Sequence, residues 1–172
     1  AAFRGASKLK KVSLGSRLVT IGYSAFRECV SLTSVNIPSR VSTVKDSAFR
    51  DCSSLTSVKI GNSCTSIGDY AFSGDAALES ISFGEHLNSI GYEAFYKCAS
   101  LKTLSFNDNL LKIGSYAFQD CKGITSVRMG SHLTKISDGA FRGCDSLTKV
   151  TIHAKNVDIS NYNVFNKGTQ LT

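Results

Sequence analysis

Tryptophan is absent from the 172-residue chain, and proline and methionine occur once each, at Pro38 and Met129. Apolar runs are only a few residues long, far short of the roughly 20 that cross a bilayer as a helix. There is no G-x-S-x-G elbow and no glycine-rich phosphate loop ending in Lys-Ser or Lys-Thr, which closes two common routes to nucleophilic and phosphoryl chemistry. His86, His132 and His153 stand at loop places without a partner serine or cysteine in a catalytic motif. Paired C-x-x-C motifs and histidine clusters are lacking too, so no metal site is expected. The expectation is a protein that is not an enzyme and needs no cofactor. N-x-Ser/Thr sequons are also missing.

Acidic residues are scarce in the first part of the chain. Residues 1–50 hold nine basic residues against Glu28 and Asp46, and the remaining 122 hold eleven of each sign. The whole formal excess of +7 therefore sits at the beginning. Such a skew suits an anionic partner, a sulfated glycan or an acidic protein face, with nucleic acid the least expected, and it equally suits a solvated surface.

What the chain has in abundance is repetition. Ala-Phe pairs end at Phe3, Phe26, Phe49, Phe72, Phe95, Phe118 and Phe141, each 23 residues after the last, and a degenerate Val164-Phe165 follows 24 residues on. A fixed period of this size means stacked structural units. Counted from each alanine, Leu9, Leu32, Leu55, Leu78, Leu101, Ile124 and Leu147 share the eighth place. Val12, Val35, Val58, Ile81, Leu104, Val127 and Val150 share the eleventh, and Leu14, Ile37, Ile60, Phe83, Phe106, Met129 and Ile152 the thirteenth. The spacing of two between these last columns predicts a strand with one face in and one out. A second short extended segment is expected at Ile21, Val44, Ile67, Ile90, Ile113 and Ile136.

Gly22, Gly68, Gly91 and Gly114 follow that segment, as expected of a sharp turn using positive φ. Asp46, Asp69 and Asp138 come one residue later, where an aspartate would cap a short helix carrying the Ala-Phe pair. Units so built cannot bury their apolar faces alone, so stacking is predicted to make one continuous core.

The motif Leu32-x-x-Val35-x-Ile37 and the 23-residue unit "IGxxAFxxCxxLxxVxI" resemble the BspA-like class of leucine-rich repeats. The resemblance covers essentially the whole chain. It implies an α/β leucine-rich-repeat solenoid of about seven 23-residue repeats, with a parallel sheet on one side and short helices or turns on the other. Residues 1–172 would form a single solenoid domain. The chain starts and stops in mid-motif, which suits a segment of a longer array. Two departures from the pattern stand out: Arg40, Ser63, His86 and Asn109 occupy the place of the usual asparagine ladder, and the proline after the strand survives only as Pro38.

Cys29, Cys52, Cys98, Cys121 and Cys144 share the fifth place, and Cys64 stands in an aliphatic column. Spacing permits bonds between neighbouring units. The same place, however, is filled by Ala6, Asp75 and Gly168, so it calls for small size, and buried reduced thiols are the reading.

Function is then expected on the exposed columns. The outward places of the strand carry Lys11, Ser34, Ser57, Ser80, Thr103, Ser126 and Lys149 in one row, and Ser13, Asn36, Lys59, Ser82, Ser105, Arg128 and Thr151 in the next. The candidate ligand-binding residues are Ser34, Asn36, Ser57, Lys59, Ser80, Ser82, Thr103, Ser105, Ser126 and Arg128. Arg4, Arg27 and Arg50 share one place in successive units, and Arg17 and Arg40 another, which makes these five the anion-binding candidates. Tyr92, Tyr96 and Tyr116 would form an aromatic patch, and Tyr23, Tyr70 and Tyr162 lie near the same turns. The family resemblance implies a protein-binding, adhesin-type module, secreted or on the cell surface, with a host or extracellular-matrix protein as partner. An intracellular, cytoplasmic scaffold and a polyanion-binding module acting through the first units are the alternatives, and end-to-end self-association is expected of unsheltered core columns at Leu9 and Leu171.

Overall fold

The computed structural model describes residues 1–159, 163–166 and the backbone of 170–171. The expected period-two segments form the longer strands, in which the residue between two outward ones points into the core: β2 (Ser34–Asn36), β4 (Ser57–Lys59), β6 (Ser80–Ser82), β8 (Thr103–Ser105), β10 (Ser126–Met129), β12 (Lys149–Ile152) and the terminal pair β13 (Gln170–Leu171). The second segments are two-residue strands: β1 (Thr20–Ile21), β3 (Thr43–Val44), β5 (Ser66–Ile67), β7 (Ser89–Ile90), β9 (Lys112–Ile113) and β11 (Lys135–Ile136). All pairing is parallel and steps one unit at a time, as in Val35↔Val58↔Ile81 and Val44↔Ile67↔Ile90. The result is a parallel β-solenoid of about six turns. The count falls short of seven because the outer units are incomplete: the first contributes an isolated bridge at Lys11, and the seventh, one residue longer, replaces its short strand with a bridge at Asp158.

The six short strands form one unbroken sheet, whereas the long strands form two, β2-β4-β6 and β8-β10-β12-β13. The break between β6 and β8 coincides with the place where the thirteenth column changes from aliphatic residues to Phe83 and Phe106. Their rings pack 4.9 Å apart and also meet Phe95 and Phe118. Phe83 and Ile81 remain partly exposed there. Bulk thus substitutes for backbone pairing at this junction.

The Ala-Phe segments are not helices, and no helix occurs among the described residues. In each turn, two residues adopt left-handed φ: Ser24, Ser47, Tyr70, Glu93 and Tyr116 before the phenylalanine, and Glu28, Asp51, Gly74, Lys97 and Asp120 after it. A non-glycine residue there costs about 1–2 kcal/mol. Hydrogen bonds to the next unit offset that cost: Ser47 N–H donates to the Asp69 carbonyl, Phe49 N–H to Ala71 and Asp51 N–H to Ser73, at 2.8–2.9 Å. Alternating donors of this kind cannot coexist with an i to i−4 helical ladder. The aspartates cap the neighbouring turn rather than a helix. Asp46 Oδ1 accepts Asp69 N–H at 3.1 Å and Asp69 Oδ1 accepts Tyr92 N–H at 2.8 Å, and Asp138 is exposed at the equivalent place.

The glycines also play a different part from the one expected. Gly22, Gly68, Gly91 and Gly114 do not have positive φ. At Gly68, Gly91 and Gly114 a Cβ would collide with the backbone of the preceding unit, while Gly22 has open space. Close approach between stacked turns, not handedness, excludes a side chain at those three.

One core runs the length of the solenoid. Phenylalanines from Phe3 to Phe165 stack in register, with centroids 5.0–5.4 Å apart and rings within 14° of parallel. All six cysteines are free and buried. The five in the shared column point Sγ–H at the carbonyl of the phenylalanine 26 residues earlier, at 3.0–3.2 Å. Burial pushes the Cys52, Cys64, Cys98 and Cys144 thiols up, so they stay protonated donors. Gly168, the last member of the column, and the side chain of Leu171 lie outside the described residues.

Candidate functional site

Parallel pairing lays the outward residues of the long strands into two straight rows. Ser34, Ser57 and Ser80 are in register, as are Asn36, Lys59 and Ser82; beyond the break, Thr103 and Ser126 align, as do Ser105 and Arg128. All ten candidate residues lie on this face, exposed or partly so. Over β2, β4 and β6 it forms a shallow trough of about 410 Å³. The fourteen outward places contain Lys11, Lys59, Arg128 and Lys149 and no carboxylate. Such a surface can donate hydrogen bonds and hold an anionic group.

The arginine row is largely spoken for. Glu28 lies 3.6 Å from Arg4 and 3.1 Å from Arg27, and Asp51 lies 3.4 Å from Arg50. The Nε atoms of Arg27 and Arg50 are close to these acids but out of line for a hydrogen bond, so the attraction is chiefly coulombic. Arg50 also lies 5.1 Å over the Tyr70 ring. Arg17 and Arg40 are exposed in the loop after the long strand. In later units the same loop place re-creates a ladder from other side chains. His86 Nδ1–H donates to the Asn62 carbonyl, Asn109 Nδ2–H to Glu85 and His132 Nδ1–H to Asp108, at 2.7–2.9 Å. Two of the histidines thus brace turns.

The tyrosines gather differently from the expected patch. Tyr70, Tyr92 and Tyr116 meet edge to face at 5.3 and 5.9 Å, while Tyr96 turns aside beneath the Lys97 ammonium, 4.9 Å from its ring. A hydrogen bond to Glu93 pushes the Tyr92 phenol up to about 12. Tyr162 lies outside the described residues. The residue that column reading passed over is Asp75, fully buried in the cysteine column. Its signal was visible as the one charged side chain in a column of small ones.

A parallel solenoid of 23-residue turns with a Phe spine and a cysteine column is a leucine-rich-repeat architecture. The chain belongs to the BspA type leucine rich repeat family, whose repeat region matches it in six copies over residues 1–99 and 43–172. It is similar to the leucine rich repeat protein of T. pallidum, with 31% identity and a TM-score of 0.77 over 81% of this chain and 70% of that one. The fold is shared with a leucine rich cell surface protein from Faecalibacterium prausnitzii (24% identity, TM-score 0.70, 85% of this chain and 48% of that one). It is shared also with the pneumococcal vaccine antigen PcpA (22% identity, TM-score 0.72, 83% of this chain and 36% of that one). No curated protein matches the chain. None of these similarities indicates a catalytic family, and no helix among the described residues is long and apolar enough to cross a membrane.

Proposed function

We propose that the chain is a non-enzymatic protein-binding module of adhesin type, secreted or displayed at a cell surface, which binds through its long-strand face. The observation that carries this reading is the carboxylate-free pair of rows from Lys11 to Thr151, with cations spaced along small hydroxyl residues. Charge complementarity selects an acidic protein face as the partner. The surface location of the F. prausnitzii relative supports the setting. Residues 1–172 act as one solenoid domain, and the apolar end at Phe3, Leu14 and Leu18 offers a second contact, end to end with another copy. The arginine row is secondary because Glu28 and Asp51 already occupy it.

The test is binding of the chain to a panel of extracellular-matrix proteins and to heparin, with Lys59→Glu plus Arg128→Glu as the face variant and Arg17→Ser plus Arg40→Ser as the loop variant. The face variant should lose tenfold or more in affinity for the protein ligand and the loop variant little. Binding that survives the face variant, or that follows the loop variant and heparin, overturns the assignment.

A further inference from the structure

Asp75 occupies the cysteine column of the fourth unit, with no exposure to solvent. Its Oδ1 accepts the Cys52 N–H at 2.7 Å, and its Oδ2 has no hydrogen-bond partner. Elsewhere the column residue uses one hydrogen in one way, a thiol donating to the phenylalanine carbonyl 26 residues earlier. By that register the carbonyl belonging to Asp75 is that of Phe49, which receives no thiol. An ionised carboxylate would set two acceptors and a charge against it in a dry core. A carboxylic acid would supply the missing hydrogen.

We propose that Asp75 is a neutral carboxylic acid whose Oδ2–H replaces the thiol bond to the Phe49 carbonyl, making the joint between the third and fourth units a pH-dependent clasp. The titratable groups facing it are the Cys52 thiol on the preceding unit, the Cys98 thiol on the following unit and the Asp51 carboxylate at the turn edge. None is a cation that would hold an ionised form. Burial raises the Asp75 carboxyl well above its ordinary range, the Cys52 N–H opposes the rise and Asp51 adds to it. The fourth unit also lacks long-strand pairing to the fifth, since β6 and β8 belong to different sheets. Ionising Asp75 therefore weakens the unit that is already the least tied on its other side.

The direction with pH follows from proton counting. Below about pH 4 both folded and unfolded chains hold the proton and the clasp contributes fully. Above that, up to the raised value in the folded chain, the folded state binds one proton more, so the unfolding constant rises about tenfold per pH unit. Beyond it the contribution is gone and the dependence is flat. The experiment is urea unfolding of the chain between pH 4 and 9, comparing wild type with Asp75→Asn, which keeps an acceptor and a donor but cannot ionise, and with Asp75→Cys, the residue used by five other units. Relative to either variant, the wild type should lose stability at that slope as pH rises from 4, and the Asp75 carboxyl carbon should keep its protonated chemical shift well above the pH at which the exposed aspartates titrate. A wild-type curve parallel to the variants, or a carboxyl that titrates near pH 4, overturns the proposal. If Asp75→Asn fails to fold, the comparison with Asp75→Cys decides in the same way.

Discussion

Replacing Phe95 by alanine tests whether the stacked rings hold the solenoid together. The Phe95 ring is fully buried, lies parallel to Phe72 at 5.1 Å and to Phe118 at 5.0 Å, and meets Phe83 edge-on at 6.1 Å. Its burial is worth about 1.5–3 kcal/mol, and each ring contact adds about 0.5–1.5 kcal/mol. The neighbouring units frame the vacated space from both sides and limit collapse, so the loss should reach about 3–5 kcal/mol. Phe3 is 49% exposed and has one ring neighbour, Phe26 at 5.2 Å. The same reasoning gives Phe3→Ala a cost of about 1–1.5 kcal/mol. Without tryptophan in the chain, tyrosine fluorescence and far-ultraviolet circular dichroism would follow urea unfolding. A Phe95→Ala protein no less stable than Phe3→Ala would refute the argument, because the rings would then fill space without coupling units.

Two further substitutions probe the turns. Gly114→Ala drives a methyl group into the backbone of the preceding unit at Gly91, whereas Gly22→Ala meets nothing within 4 Å. The first should destabilise by about 1–3 kcal/mol and the second by a few tenths at most, as read from denaturant midpoints. Cys121→Ala removes the Sγ–H bond to the Phe95 carbonyl, 3.0 Å long, and should cost about 1–3 kcal/mol. In the intact chain all six buried thiols should resist alkylation until denaturant is added, which mass spectrometry after timed labelling would check.

The strands were legible because their signal is local: Leu32-x-x-Val35-x-Ile37 states both the inward face and the period. Stacking was legible because columns repeat. The turns were not, because Gly-Asp followed by Ala-Phe has the local chemistry of a capped helix. The deciding interactions are bonds from Ser47, Phe49 and Asp51 to residues more than twenty positions away, which no window of sequence contains. Glycine carried the same ambiguity, since the sequence cannot distinguish a demand for positive φ from a demand for closeness at Gly68 or Gly114. At the candidate site, the rows from Ser34 to Arg128 followed directly from the period of two. The redirection of Tyr96 toward Lys97 is a choice of side-chain rotamer between neighbours in sequence, and the sharing of Glu28 between Arg27 and Arg4 of the preceding unit depends on side-chain reach. The break between β6 and β8 was written in Phe83 and Phe106, but only packing turns that bulk into a parted ladder.

The backbone bonds between units at the Ala-Phe turn run the same way. In the third unit the carbonyls of Asp46, Ala48 and Arg50 accept from the unit before, and the N–H groups of Ser47, Phe49 and Asp51 donate to the unit after. Three peptide groups per unit are therefore aligned along the solenoid axis, like the peptides of a helix. On this edge the carbonyls therefore face the first unit, where Arg4, Arg27 and Arg50 line the same turns, while on other edges Thr56, Thr65 and Gly68 N–H donate the opposite way, to Thr33, Ser42 and Val44. Parallel stacking also gives a stretch of this solenoid two unlike ends, so copies that continue the stack join head to tail. Such contacts are heterologous and do not close on themselves, which favours filaments over two-fold dimers.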